Sequence, residues 1–181
     1  CSPTRRRLSL YSNSYSSGSL IFNLEYLLNT IFVFEKYEIQ KIGGTELRVS
    51  NGKISFSGDE NILARANLCL STAERVLIEL IEFKASTFEE LFQGVKSAEL
   101  ERYIGEKNAF PVKGYSLNST LHSVPDCQSI VKKAAVERLK SKYGVNWFDE
   151  TEAPVQIRFS ILKDVVSLYL NTSGVGLHKR G

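Results

Sequence analysis

Hydrophobic and polar positions follow two periods along this chain, one typical of helices and one typical of strands. In the first half, the pattern predicts a helix over residues 20–34, strands over 38–42 and 47–57, a helix over 60–70 and a strand over 75–83. Asp59 is suited to cap the second helix, and turn signals occur at Gly43-Gly44 and Asn51-Gly52. This order is that of a ferredoxin-like half if one more strand precedes Leu20.

The second half carries a clearer pattern. Ser86 and Glu89 have the spacing of a capping box, and apolar residues follow at helical spacing. The other predicted elements are a short helix over 99–104, a strand over 110–115, a polar loop over 116–123, a long helix that ends at Tyr143 before Gly144, and a hairpin over 155–161 and 166–170. The hairpin alternates strictly, so we expect it to have one buried face.

Composition and charge narrow the functional classes only slightly. The net charge of +3 on 181 residues is a weak indication of a nucleic-acid partner, because binding depends on where cations cluster. Three cysteines and two histidines without ligand spacing argue against a metal site and fit a reducing cytoplasm. Cys69 and Cys127 are interpreted as small core residues on helices. No apolar run is long enough to span a membrane.

The two ends of the chain are also informative. It begins at Cys1 and contains no methionine, which we interpret as a fragment or a processed product. The serine-rich residues 1–19 lack the apolar segment of an export signal and are expected to form a disordered tail.

Several short segments occur in an order that resembles one protein family. They are Arg-Ala-Asn-Leu at 65–68, Ala-Glu-Arg-Val-Leu at 73–77, Phe-Pro-Val-Lys-Gly at 110–114, Ser-Val-Pro-Asp-Cys-Gln at 123–128, Ile-Val-Lys-Lys-Ala at 130–134, Leu-Lys-Asp at 162–164, Asn-Thr-Ser-Gly at 171–174 and Leu-His-Lys-Arg-Gly at 177–181. Together they resemble the THUMP-containing family of ribosomal RNA large-subunit guanine-N2 methyltransferases. Each segment alone is a weak signal, but several in the same order are a strong one.

The resemblance implies an α+β fold, with an N-terminal ferredoxin-like half over 20–85 and then a THUMP domain whose helices pack on a mixed β-sheet. The THUMP core is expected over 86–174, a family THUMP profile over about 46–171, and the start of a linker over 175–181. The implied function is an RNA-binding module that positions structured RNA, foremost 23S ribosomal RNA, for the protein's own C-terminal methyltransferase domain. S-adenosylmethionine is the cofactor implied for that domain, and none is expected in this chain.

Phosphate recognition requires flexible cations, small hydrogen-bond donors and free helix N-termini. The candidate RNA-binding residues are Lys113 and Ser119 beside the polar loop, Lys132, Lys133 and Lys140 on the long helix, and Arg158 and Tyr169 on the outward phase of the hairpin. For any single residue the alternative is ordinary surface solvation. We expect the lysines and hydroxyls near the start of the long helix to form one anion-receptive surface. Lys179 and Arg180 are assigned to the linker.

No catalytic, cofactor-binding or metal-binding residue is predicted in this chain. Gly174-Val175-Gly176 follows a strand but opens no helix, and the Asn/Asp-Pro-Pro-Tyr tetrapeptide of the family is absent. Two alternatives to ribosomal RNA recognition remain open. One is a THUMP module of a transfer-RNA-modifying enzyme, and the other is a structural docking domain with little RNA affinity of its own.

Overall fold

The computed structural model describes residues 20–25, 32–50, 53–70 and 75–173, and divides the chain between two units, Cys1–Glu79 with Asn171–Gly181, and Leu80–Leu170. Its elements are β1 Leu20–Glu25, α1 Phe32–Ile42, β2 Thr45–Ser50, β3 Lys53–Gly58, α2 Glu60–Cys69, β4 Arg75–Lys84, α3 Phe88–Ser97, a 3-10 turn Leu100–Arg102, β5 Val112–Leu117, α4 Val124–Tyr143, β6 Ile157–Leu162 and β7 Val165–Asn171. The predicted tail over 1–19 and linker over 175–181 lie outside the described residues.

The first unit has the βαββαβ order of a ferredoxin-like domain. β1 pairs antiparallel with both β3 and β4, and β2 pairs antiparallel with β3, so the strand order is β2-β3-β1-β4. Phe22 and Phe56 are fully buried here, with ring centres 5.3 Å apart. The predicted cap of α2 is confirmed, since the Asp59 carboxylate accepts a hydrogen bond of 2.9 Å from the Ile62 amide. The ferredoxin-like part of the prediction is confirmed.

The element boundaries near the start were predicted wrongly. Residues 20–25 form strand β1, not the start of a helix, and α1 runs through the predicted strand over 38–42. The predicted strand over 47–57 is two paired strands, β2 and β3. The reason is that Phe22, Asn23 and Leu24, which lie on alternate faces of β1, are all buried. A strand buried on both faces has no alternation that distinguishes it from a buried helix.

The second unit has a mixed sheet in the order β4-β7-β6-β5. β5 pairs parallel with β6, and β6 pairs antiparallel with β7. Helices α3 and α4 pack against each other, and α4 packs against β5. Their buried residues, together with the fully buried residues of β6, form an apolar core that contains Leu91, Val131, Ile157, Phe159 and Ile161. The predicted arrangement of helices on a mixed β-sheet is confirmed.

The helix ends of the second unit follow local chemistry. The capping box belongs to Thr87 and Glu90, one residue later than predicted from Ser86 and Glu89, because both pairs have the required spacing. Ser86 still contributes, since its amide and hydroxyl both donate to the Glu90 carboxylate. α4 ends as predicted at Gly144, whose φ of 68° is the left-handed conformation that glycine adopts without strain.

The sequence pattern predicted that the hairpin β6–β7 has one buried face. In the structure, both faces of β7 are buried. Strand β7 lies between β6 and β4, and both of its side-chain phases are buried from Val166 to Asn171. Tyr169 is therefore 4% exposed instead of pointing to solvent. The alternation was identified correctly, but it does not show that both faces of a strand are covered.

Candidate nucleic-acid interface

Strand register brings three of the predicted RNA-binding residues into one line. Lys113 of β5 pairs with Arg158 of β6, and Arg158 pairs with Tyr169 of β7. Residues that pair in register project from the same face of a sheet, so these three form a cross-strand row. Lys113 is exposed, Arg158 is half-buried and Tyr169 is buried. The row thus offers one accessible cation and a second that is partly accessible.

The neighbouring rung of the same face is also polar and aromatic. Tyr115 pairs with Ser160, and Ser160 pairs with Ser167. The Tyr115 side chain is 38% exposed, whereas the two serines are nearly covered. A lysine, an arginine and an exposed tyrosine therefore share one sheet face, which is the combination that binds phosphates and stacks on bases.

Lys132 does not point into solvent. Its Nζ lies 3.6 Å from the centre of the Phe110 ring and donates a hydrogen bond of 3.0 Å to the Phe110 carbonyl. Burial lowers the pKa of Lys132 below its usual range, and the charge of Glu150 opposes that effect. The predicted phosphate-binding lysine is thus held by protein groups.

Lys133, one residue further along α4, is exposed. Its Nζ lies 5.7 Å from the centre of the Phe92 ring, on which Lys96 also lies at 5.5 Å. Lys96 forms an ion pair of 3.2 Å with Glu137, so its charge is partly compensated. Lys133 is the lysine of α4 that the structure leaves best placed for a phosphate.

Ser119 and the other hydroxyls of the polar loop are engaged within the protein. The Ser119 hydroxyl donates to the Leu117 carbonyl at 2.9 Å and accepts from the Asp164 amide at 3.2 Å. The Asp164 carboxylate in turn accepts from the Thr120 amide at 2.6 Å. Ser116 donates to the carbonyl of Leu121. The bonds to Asp164 join the loop to the β6–β7 turn, and the hydroxyls of Ser116 and Ser119 are engaged within the protein.

Lys140 lies in a groove that the sequence pattern did not indicate. We call it the Trp147 groove; it encloses about 360 Å³ and is lined by Phe110, Lys132, Val136, Lys140, Asn146, Trp147, Phe148, Asp149 and Glu150. Trp147 is 79% exposed. The sequence could have pointed to Trp147 as a candidate site residue. It is the single tryptophan of the chain, and it follows the long helix in a polar stretch.

None of the helices in the described residues combines the length and the apolar character needed to cross a membrane. Within the same residues, histidine, cysteine, aspartate and glutamate side chains form no group of three or more that could hold a metal ion.

Comparison with protein families finds two matches in order along the chain. Residues 34–77 match the RlmL ferredoxin-like domain, and residues 85–171 match the THUMP domain. The two matches fall on the α1–β4 region and on the α3–β7 region.

Comparison with individual proteins finds relatives that are longer than this chain. The "Putative RNA methyltransferase YpsC" of Bacillus subtilis (strain 168) is 49% identical over 140 residues, which are 76% of this chain and 36% of that protein. A crystal structure of "a predicted N6-adenine-specific DNA methylase" from Listeria monocytogenes str. 4b F2365 is 44% identical with a TM-score of 0.85, and covers 91% of this chain and 43% of that one.

A third relative is a crystal structure of "SMU.472, a putative methyltransferase complexed with SAH". It is 34% identical with a TM-score of 0.84, and the match covers 92% of this chain and 45% of that one. The chain therefore spans less than half of the length of each of these three relatives.

Proposed function

Since the chain belongs to the THUMP-domain proteins that carry an RlmL ferredoxin-like domain, we propose that it is the RNA-recognition module of an RNA methyltransferase. The observation that carries the proposal is the succession of these two domains in a chain 49% identical to a protein named as an RNA methyltransferase. The Listeria relative is named for DNA adenine methylation instead. The THUMP match favours RNA as the partner.

We propose more specifically that the RNA is structured ribosomal RNA of the large subunit, and that the cytoplasmic parent protein methylates the exocyclic N2 of a guanine. The support is the ordered set of segments between residues 65 and 181 that resembles the guanine-N2 family. S-adenosylmethionine would supply the methyl group, as suggested by the SAH complex of one relative.

The residues of this chain would act by binding and orienting the RNA. Lys133 on α4 and Lys113 in the cross-strand row are exposed cations, which suit phosphate contacts. Contacts to phosphates fix the register and orientation of a nucleic acid without reading its sequence. A structured RNA helix is recognised mainly through its shape and backbone, which is the mode that such contacts allow. The bound RNA would then be positioned for the methyltransferase domain.

The proposal is tested by measuring how the chain binds a 23S ribosomal RNA fragment, by fluorescence anisotropy, across a series of salt concentrations. We expect log K to fall linearly with log salt, because bound phosphates release counterions. Unlabelled transfer RNA is the competitor. If transfer RNA displaces the ribosomal fragment at equal concentration, the ribosomal target is wrong. If no RNA binds in a salt-dependent manner at moderate ionic strength, the chain is a docking domain instead.

A further inference from the structure

Trp147 is an aromatic side chain that the fold does not use for its own core. Its indole is 79% exposed, although tryptophan buries more apolar surface than any other residue when it packs. The core side chains Phe110, Ile157 and Phe159 of the second unit are at most 1% exposed, whereas the Trp147 side chain lies largely outside that core.

The residue next to Trp147 is held firmly. The Phe148 ring meets the Phe110 ring edge-on, with centres 5.4 Å apart and planes at 88°. Lys132 lies on that same Phe110 ring and donates to its carbonyl. The loop is thus anchored one residue after Trp147. Its anchor is the buried Phe110 ring, over which Lys132 lies. An exposed indole on an anchored backbone is a preformed stacking surface.

The charges around the indole restrict what could bind there. Two lysines line the groove, Lys132 and Lys140. Lys132 is bonded to the Phe110 carbonyl, and Lys140 takes no part in that bond. Asp149 and Glu150 supply two carboxylates to the same groove. A run of phosphates would be repelled by these carboxylates, whereas a single phosphate could reach Lys140. The carboxylates can accept hydrogen bonds from the N–H groups on the edge of a base.

We propose that the Trp147 groove receives an unpaired base of the bound RNA. The base stacks on the Trp147 indole, its N–H edge faces Asp149 and Glu150, and the adjoining phosphate contacts Lys140. This inference rests on the proposed RNA-recognition function and adds to it a single-stranded element next to the structured helix. Stacking on an aromatic side chain tolerates any base, so the groove selects unpaired over paired nucleotides more than it selects sequence.

The test uses the chain's only tryptophan as its own reporter. Indole emission is recorded while the full chain is titrated with a blunt RNA duplex, or with the same duplex carrying a short unpaired extension. We expect the extended duplex to quench the emission and the blunt duplex to leave it nearly unchanged. Equal quenching by both RNAs, or none by either, would overturn the stacking assignment.

Affinities of variants complete the test. We expect Trp147→Ala to weaken binding of the extended duplex about tenfold and to leave the blunt duplex unaffected, because one stacked base is lost. Trp147→Phe should retain most of the affinity, since it keeps an aromatic face. The melting temperature of Trp147→Ala should match that of the parent chain, because the side chain is largely exposed.

The outcomes separate this inference from the proposed function. If both duplexes bind with a salt-dependent affinity that Trp147→Ala does not change, the RNA-recognition function stands and the groove assignment is overturned. If neither duplex binds, both proposals fail. If the extended duplex quenches the emission but Trp147→Ala binds it as tightly as the parent chain does, the groove assignment is again overturned.

Discussion

The ammonium group of Lys132 lies 3.6 Å from the centre of the Phe110 ring, and it donates a hydrogen bond to the carbonyl of the same residue. An ammonium over an aromatic face is attracted by the ring's electrons, and more strongly when water is excluded. Burial lowers the pKa of Lys132 but the two contacts favour its charged form. Lys132 is therefore held by contacts within the protein, and its role as an RNA contact stays a prediction.

Adjacent lysines of α4 are expected to differ in their effect on RNA binding. Lys133→Met should reduce the slope of log K against log salt by about one unit, whereas Lys132→Met should leave the slope unchanged. Lys142→Met is the matched control on the same helix, because Lys142 lies 3.5 Å from Glu101 and is partly neutralised. The measurement is anisotropy at several salt concentrations. A reduced slope for Lys132→Met would mean that its ammonium leaves Phe110 when RNA binds.

The pair Arg138–Glu101 is expected to stabilise the second unit. Two guanidinium nitrogens donate to the two carboxylate oxygens at 2.5 and 2.9 Å, and the two side chains are 19% and 22% exposed. Arg138→Met should lower the free energy of unfolding at neutral pH by about 2 kcal/mol, as for hydrogen bonds to charged groups. Lys142→Met, which removes a half-exposed partner of the same carboxylate, should cost less than about 1 kcal/mol. Urea denaturation measures both, and equal losses would contradict this ranking.

The same pair predicts a dependence of stability on pH. Burial raises the pKa of Glu101, but the hydrogen bonds and charge of Arg138 outweigh it, so the net pKa lies below its usual value of 4.5. A lowered folded-state pKa means that the stabilisation is fully present above pH 4.5 and is lost as the pH falls through the folded-state value. Urea midpoints of the Glu101→Gln variant should therefore fall less than those of the parent chain on acidification.

The fold is expected to require glycine at position 94, because the Phe83 ring of β4 lies against it. A Cβ at this position would overlap the Phe83 ring. Gly94→Ala should therefore destabilise the chain by about 1–3 kcal/mol, although alanine is normally about 1 kcal/mol better than glycine inside a helix. In a Phe83→Ala background the same substitution should become neutral or stabilising. Thermal unfolding of the four proteins in this cycle gives the coupling, and an additive result would exclude the steric cause.

The two helical cysteines are expected to react at very different rates. Cys69 is exposed and Cys127 is fully buried, so the sequence-based assignment of both to the core is wrong for Cys69. Burial, followed by the charge of Asp126, raises the pKa of the Cys127 thiol, which keeps it protonated and unreactive. In a Cys1→Ser background, a thiol reagent should label one site rapidly and the second only in denaturant. Rapid labelling of Cys127 would show that α4 opens readily.

Features set by neighbouring residues were predictable from the sequence. The cap at Asp59, the end of α4 at Gly144 and the pairing of β6 with β7 depend on groups close in the chain, so their patterns identified them. The strand and helix periods suggested the ferredoxin-like half, and the resemblance to the THUMP-containing family supplied the THUMP domain after it.

Features set by distant partners were not predictable in this way. β1 was taken for a helix because its burial depends on pairing with β3 and β4. The contact of Lys132 with Phe110 was not foreseen, because Phe110 is 22 residues away. Tyr169 was placed in solvent because the flanking strand β4 is nearly a hundred residues earlier.

The first unit contains residues from both sides of the second in the sequence. The Val76 amide donates to the Ser173 hydroxyl at 2.8 Å, and Asn67 bonds to both Thr172 and Ser173. During translation, the whole of Leu80–Leu170 must leave the ribosome before these bonds can form. A nascent chain that stops at Leu170 contains every residue of the second unit. The first unit of that chain still lacks the residues that form its bonds to Val76 and Asn67.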